Sequence, residues 1–155
     1  MNRIASFSVD HRQIAEGMYI SRIDGDVVTY DLRMKKPNRG DLLSNGEMHS
    51  LEHMFATLVR NSRLGDKVIY FGPMGCQTGF YLLMRHENHG ENLSLVKEVL
   101  LAIMEYDGDM PGNSEIECGN YRNLDMALAK GIAKRYYDSI KDKTVEDMRY
   151  SECEY

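Results

Sequence analysis

The sequence has no tryptophan, only three prolines and three cysteines, and no long apolar run. No stretch approaches the roughly 20 apolar residues of a membrane-spanning helix, so a membrane protein is not expected. Met1 to Asp10 lack the continuous apolar centre of a secretory signal, which points to the cytoplasm. Three is an odd number of cysteines and argues against a disulfide framework; in a reducing compartment they stand as thiols open to metal or chemistry. Basic excess is missing as well. Nineteen Lys and Arg against 24 Asp and Glu leave a net charge of −5, with the signs interspersed. No basic stripe is there to neutralise phosphates, so nucleic acid is not an expected partner. Pro37, Pro73 and Pro111 each sit in a turn-like context, and no repeat or linker divides the chain.

What remains is enough for one ordinary domain over residues 1–155, with 43% hydrophobic and 28% charged residues and a core of useful size. From Asp26 to Met34, Val28, Tyr30, Leu32 and Met34 alternate with Val27, Thr29, Asp31 and Arg33, the period of a strand with one buried face and Arg33 on the other. Met18 to Ile23 is a shorter strand candidate, joined to it by the hairpin signal Asp24-Gly25. Lys67 to Phe71 and Phe80 to Arg85 read as two more strands. Three helices are expected, at about Asn45 to Asn61, Leu93 to Tyr106 and Leu124 to Ile140. Ser44 and Glu47 form a capping-box pattern before the first. The third places Leu124, Leu128, Ile132, Tyr136 and Ile140 four apart, and the polar last dozen residues suggest a short surface helix. Antiparallel strands with helices packed on one face make an α+β domain.

His49-Ser50-Leu51-Glu52-His53 is the strongest chemical signal. At about 100° per residue, His53 lies roughly 40° around a helix from His49 and Glu52 roughly 60° the other way. Two imidazoles one turn apart can share an ion, with the carboxylate beside them, as in the inverted zincin pattern H-x-x-E-H. A catalytic centre of this kind usually takes three protein ligands and keeps one position open. Cys118, before Gly119 and just ahead of a helix, is the natural third ligand, and Glu115 and Glu117 are its rivals. Cys76 stands apart, in a loop between Gly75 and Gly79 where a thiol is exposed and a substrate can approach closely. Cys153, in the polar tail, reads as incidental, and the spacing of His86 and His89 suits a surface loop better than a ligand set.

Together these segments resemble the S-ribosylhomocysteine lyases, the LuxS family. The resemblance spans nearly the whole chain. It includes Ser6-Phe7, Asp10-His11, Tyr30-Asp31-Leu32-Arg33 with Pro37-Asn38, and His49-Ser50-Leu51-Glu52-His53. It continues through Gly72-Pro73-Met74-Gly75-Cys76-Gln77-Thr78-Gly79-Phe80-Tyr81 and Glu117-Cys118-Gly119-Asn120-Tyr121. The chain departs at Tyr70, where family members often carry an acidic residue. The resemblance implies an α+β homodimer with sites at the subunit interface. It implies one divalent metal per subunit, ferrous iron with zinc or cobalt able to substitute. It also implies cleavage of S-ribosylhomocysteine to homocysteine and 4,5-dihydroxy-2,3-pentanedione, the precursor of the quorum-sensing signal autoinducer-2, with homocysteine returning to the activated methyl cycle.

On that reading His49, His53 and Cys118 hold the metal, Cys76 and Glu52 carry protons, Arg33 keeps Cys76 ionised, and Ser6 and His11 bind hydroxyls or position protons. The polar strand face bearing Arg33 needs a neighbour, so Arg33, Ser6 or His11 is expected from the partner of the subunit that supplies the metal ligands. Two rival readings share the metal helix. A metallopeptidase would need Glu52 but not Cys76, and a closed interaction module would take Cys76 as a fourth ligand.

Overall fold

The computed structural model describes residues 1–151; Cys153 lies outside the described residues. The chain runs β1 (Gly17–Asp24), β2 (Val27–Arg33), α1 (Asn45–Arg60), β3 (Val68–Pro73), β4 (Gly79–Met84), α2 (His89–Glu105) and α3 (Met126–Ile140). The four strands form one sheet in the order β1-β2-β4-β3, every pair antiparallel. With three helices beside it, this is the expected α+β architecture.

The alternation in β2 decides the layers. Val28, Tyr30 and Leu32 pair across the sheet with Met84, Leu82 and Phe80 of β4, so all six share one face. That face joins Leu51, Met54 and Phe55 of α1, Val99 and Leu100 of α2, and Ile132 and Tyr136 of α3 in a single core. Rings of Phe55, Phe71 and Phe80 stack in sequence through it. On the other face Tyr19, Asp31 and Tyr81 are register neighbours across β1, β2 and β4. Sequence reasoning left that face to a second subunit, but at Arg33 the chain covers itself: Arg33 is 2% exposed and Asp31 1%. Asp31, two residues earlier on the same face, pairs with Arg33, and the ring of Tyr150 from the chain's end stacks over Tyr19.

Several boundaries move for local reasons. The β1–β2 turn falls on Gly25-Asp26, one place later than expected, with Gly25 at φ +61°, where glycine is favoured. α2 begins a turn early because the Asn88 side chain accepts from Glu91 N, an N-cap that places His89 in the helix rather than in a surface loop. In α3 the buried stripe is Ala129, Ile132, Ala133, Tyr136 and Ile140, while Leu128 is 36% exposed. A spacing of four drifts by about 40° per step around a helix, so it cannot keep one buried line over its whole length. Among its described residues the tail forms a short helical turn at Val145–Met148, and Met148 is buried rather than on the surface.

Candidate active site

Helix α1 forms close to where the sequence placed it and carries His49 and His53. Ser44 Oγ accepts from Glu47 N while the Glu47 side chain accepts from Ser44 N, so the helix starts at a defined residue. Four residues on, His49 and His53 bring their rings to 4.7 Å between centroids. The segment before α3 returns Cys118 to them, its Sγ 3.3 Å from His49 Nε2. One donor atom from each of His49, His53 and Cys118 lies within 4.8 Å of the others, the one such cluster of three among the described residues. Two donors bound at about 2.0 and 2.3 Å to a tetrahedral ion stand about 3.5 Å apart, so the His49–Cys118 spacing fits a divalent metal. Glu115 and Glu117 are not in the cluster; Glu117 instead accepts from Ser114 Oγ at 2.6 Å.

The atoms behind the two imidazoles fix which nitrogen of each could face an ion. His49 Nδ1 pairs with Asn123 Oδ1, and Asn123 is oriented by donating its Nδ2 to Asn45 Oδ1 at 2.5 Å. His53 Nδ1 pairs with the Pro111 carbonyl at 2.8 Å. A carbonyl acceptor at each Nδ1 places the proton there and leaves Nε2 free to ligate. Gly112, at φ +70°, passes so close that a Cβ would stand 3.0 Å from the His53 ring. Asn120 N donates to Cys118 Sγ at 3.4 Å, which helps to hold the sulfur in place. Glu52 joins Asn45, Met48, His49, Pro73 and Asn120 around an open groove of about 240 Å³.

A second cluster surrounds Cys76. Arg33 grips Asp31 with Nε at 3.1 Å and Nη2 at 2.7 Å, and turns Nη1 toward Thr78 Oγ1 at 2.8 Å and Cys76 Sγ at 3.9 Å. Burial works against the charge of Arg33, but the bond to Asp31 and its negative charge outweigh burial, so its pKa is raised and the cation is secure. Cys76 is exposed, with Thr78 Oγ1 3.0 Å from its sulfur. Gln77, next to it, adopts φ +63°. Its Nε2 donates to Leu43 O at 2.9 Å and its carbonyl accepts from Leu43 N at 2.9 Å. Leu43 directly precedes the N-cap of α1, so the thiol loop is tied to the foot of the metal helix. Gly79 lets the loop return: a Cβ there would stand 2.4 Å from Leu32 O.

Cys76 and Arg33 therefore meet within one chain. Among the described residues, no hydrogen bond links Ser6 or His11 to the His49–His53–Cys118 cluster or to Cys76. Ser6 lies in a helical turn at Ala5–Phe7, and the His11 ring pairs with Val9 O at 2.9 Å. Tyr70, at the departure from the family pattern, is 53% exposed. Sequence reasoning missed Thr78, Asn123 and Tyr150 as supporting residues. Thr78 sat inside a recognised motif, whereas Asn123 and Tyr150 carry no local signal because their partners are distant in sequence.

The comparisons agree with this geometry. The family model described as S-Ribosylhomocysteinase (LuxS) matches residues 4–147. A protein of Finegoldia magna named S-ribosylhomocysteine lyase is 41% identical, covering 98% of this chain and 100% of the relative. Proteins of the same name from Desulfotalea psychrophila and Clostridium beijerinckii are 41% and 40% identical over 94% and 90% of the chain, and cover 96% and 92% of those relatives. With whole-length relatives at that identity and a His–His–Cys cluster that could hold a metal formed by the motif residues, the chain belongs to the LuxS family of S-ribosylhomocysteinases.

Proposed function

We infer that the protein is a metal-dependent carbon–sulfur lyase that splits S-ribosylhomocysteine into homocysteine and 4,5-dihydroxy-2,3-pentanedione, the autoinducer-2 precursor. The observation that carries the reading is an exposed thiol 3.9 Å from a buried, charge-secured Arg33, in a loop hydrogen-bonded to the foot of the metal helix. A metallopeptidase has no task for that thiol. A closed four-ligand module would need Cys76 among the clustered donor atoms, which are those of His49, His53 and Cys118.

The sulfur leaves from the sugar carbon farthest from the aldehyde. Elimination is feasible only once a carbonyl adjoins the carbon that gives up its proton. The carbonyl must first move two places, each move taking a proton from one carbon and returning one to its neighbour. A final proton removal then expels the thiolate with the electron pair of the carbon–sulfur bond, so no oxidant or reductant is consumed. Cys76, 3.9 Å from the Arg33 guanidinium, and Glu52, on the groove beside His49, serve as the two proton carriers. A divalent ion held by His49, His53 and Cys118 supplies the Lewis-acidic charge that favours oxyanion character during these transfers. The mixed nitrogen and sulfur donor set accepts ferrous iron, zinc or cobalt, and we assign ferrous iron from the family resemblance.

Ser6 and His11 serve as substrate-binding groups that reach the site from a second copy. Support comes from the absence, among the described residues, of a hydrogen bond from either to the two clusters, and from apolar surface on the same arm, where Ile4 is 55% and Phe7 64% exposed. The working unit is a homodimer of single domains over residues 1–155, placed in the cytoplasm. No helix among the described residues is long and apolar enough to cross a membrane.

Release of free thiol from S-ribosylhomocysteine tests the function directly, and its absence from metal-loaded protein sinks the reading. Cys76→Ala and Glu52→Gln are expected to retain the metal while turnover drops by about 10²–10⁴-fold each, the usual worth of one general acid–base group. Metal loss in Cys76→Ala would favour the closed module instead.

A further inference from the structure

Beyond the metal helix and the thiol loop, the chain's end makes a contact for which the reaction gives no obvious reason. The Tyr150 hydroxyl donates to Asp31 Oδ2 at 2.6 Å, and its ring stacks on Tyr19 at 4.9 Å and 15°. Asp31 presents both oxygens to Arg33, and Arg33 presents Nη1 to Thr78 and Cys76. A relay of contacts therefore runs from Tyr150 through Asp31 and Arg33 to the sulfur. The family match ends at residue 147 and does not reach Tyr150.

The tail is held where it can do this. Thr144 and Asp147 cap the turn at Val145–Met148, Met148 is buried, and Lys97 of α2 donates to Lys143 O at 2.7 Å. Tyr150 also shares a small cavity with Val9, Asp10 and Ile14, so it packs against the arm that carries His11.

We propose that Tyr150 is a positioning residue for Cys76, acting through Asp31 and Arg33, so that docking of the C-terminal segment sets the reactivity of the thiol. The proposal rests on the reading of Cys76 as a working thiol. Its physics is a competition for one guanidinium. The Asp31 carboxylate is almost fully buried and needs donors for its lone pairs. Tyr150 satisfies one of them. Without that hydroxyl, Asp31 Oδ2 depends more on Arg33 Nη2, which draws the guanidinium toward Asp31 and leaves less positive charge facing Cys76.

Among the described residues, Arg33 of β2 and Thr78 of its own loop contact the sulfur and Tyr81 of β4 interacts with it, while Asp31 of β2 stands behind Arg33 and interacts with Tyr19 of β1. Burial first, and the charge of Asp31 second, raise the pKa values of Tyr19, Tyr81 and Tyr150. They stay neutral at pH 7 and Arg33 is the one cation of the group.

The test is Tyr150→Phe in the metal-loaded protein, which keeps the ring on Tyr19 and removes only the hydroxyl. Alkylation of Cys76 by iodoacetamide at pH 7, without substrate, is followed by peptide mass so that Cys118 and Cys153 are counted separately. Cys76 should react about three-fold more slowly, a modest share of the effect a neighbouring charge exerts on an ionisable group. The value of kcat should fall by a similar factor with KM little changed, and metal content and Tm should stay at wild-type levels. Tyr150→Leu, which also loses the stack, should slow alkylation at least as much and lower Tm as well. Arg33→Ala should slow alkylation further than either. If Tyr150→Phe reacts and turns over like wild type while Arg33→Ala is slowed, Tyr150 only packs and the proposal fails alone. If Arg33→Ala also leaves alkylation unchanged, the relay fails together with the reading of Cys76 beneath it.

Discussion

His49 and His53 are held by different kinds of acceptor, and the difference decides what mutation can reach. Behind His49 stands a side chain, Asn123, itself oriented by Asn45; behind His53 stands the Pro111 carbonyl, which no substitution deletes. Loss of any of His49, His53 or Cys118 to alanine should abolish stoichiometric metal, because two remaining donors cannot impose the geometry. Asn123→Ala should instead keep the site but weaken metal affinity by about 10–100-fold, the usual effect of losing an acceptor behind a ligating histidine. Chelator competition on purified variants measures both. Full metal retention in Cys118→Ala would transfer the third position to Glu115 or Glu117.

At the scale of elements, α2 is joined to the sheet by a buried polar contact. Tyr30 of β2 pairs through its hydroxyl with His89 Nδ1 at 2.6 Å and accepts from Asn92 Nδ2 at 2.7 Å. Burial pushes the Tyr30 pKa up from 10.0 to about 12, partly offset by the Asn92 bond. A group whose pKa is higher folded than unfolded contributes stability that is complete below its unfolded value. That contribution is lost as pH rises through the folded one. Stability should therefore decline between pH 10 and pH 12, at about 1.4 kcal/mol per pH unit for each such tyrosine. Tyr30→Phe should lose about 1–3 kcal/mol at pH 7, by removing the Tyr30 hydroxyl from His89 Nδ1 and leaving Asn92 Nδ2 with only the His86 carbonyl, and should show a shallower alkaline decline. Urea unfolding across pH 8 to 11.5 reads both effects, and an unchanged alkaline slope would remove Tyr30 from the account. The other buried tyrosines keep part of the slope.

At the scale of the whole molecule, one chain presents two half-constellations, a His–His–Cys triad with Glu52 and a thiol with Arg33, plus an arm that, among the described residues, makes no hydrogen bond to either. A symmetric dimer uses the same patch twice and so completes two equal sites. Inactive His49→Ala and His11→Ala proteins, mixed and allowed to exchange subunits, should form heterodimers with one site carrying both defects and one carrying neither. Activity per heterodimer should return to about half of wild type by that symmetry. Verified heterodimers that stay inactive would return His11 to its own subunit's site. A mixture of Arg33→Ala and Cys76→Ala should not recover, because the two side chains meet within one chain at 3.9 Å.

How much of this was legible in advance depends on how far apart the partners sit in sequence. The alternation of β2, the capping box of α1 and the i, i+4 placement of His49 and His53 are local, and local sterics and hydrogen bonding largely determine them. The family motifs likewise singled out Cys76 and Cys118 without stating what surrounds either. Sheet order and loop return decided the rest. They bring Cys118 to within 3.3 Å of His49 across 69 positions, and Tyr150 to within 2.6 Å of Asp31 across 119. They also bury Arg33 on a strand face whose pattern reads as polar and open. An alternating pattern tells which way a side chain points, but only packing of distant segments tells what lies there. The sequence thus determined the helix, the strands and the chemical identity of the ligands, while the tertiary structure decided which thiol joins the histidines and which guanidinium faces the other.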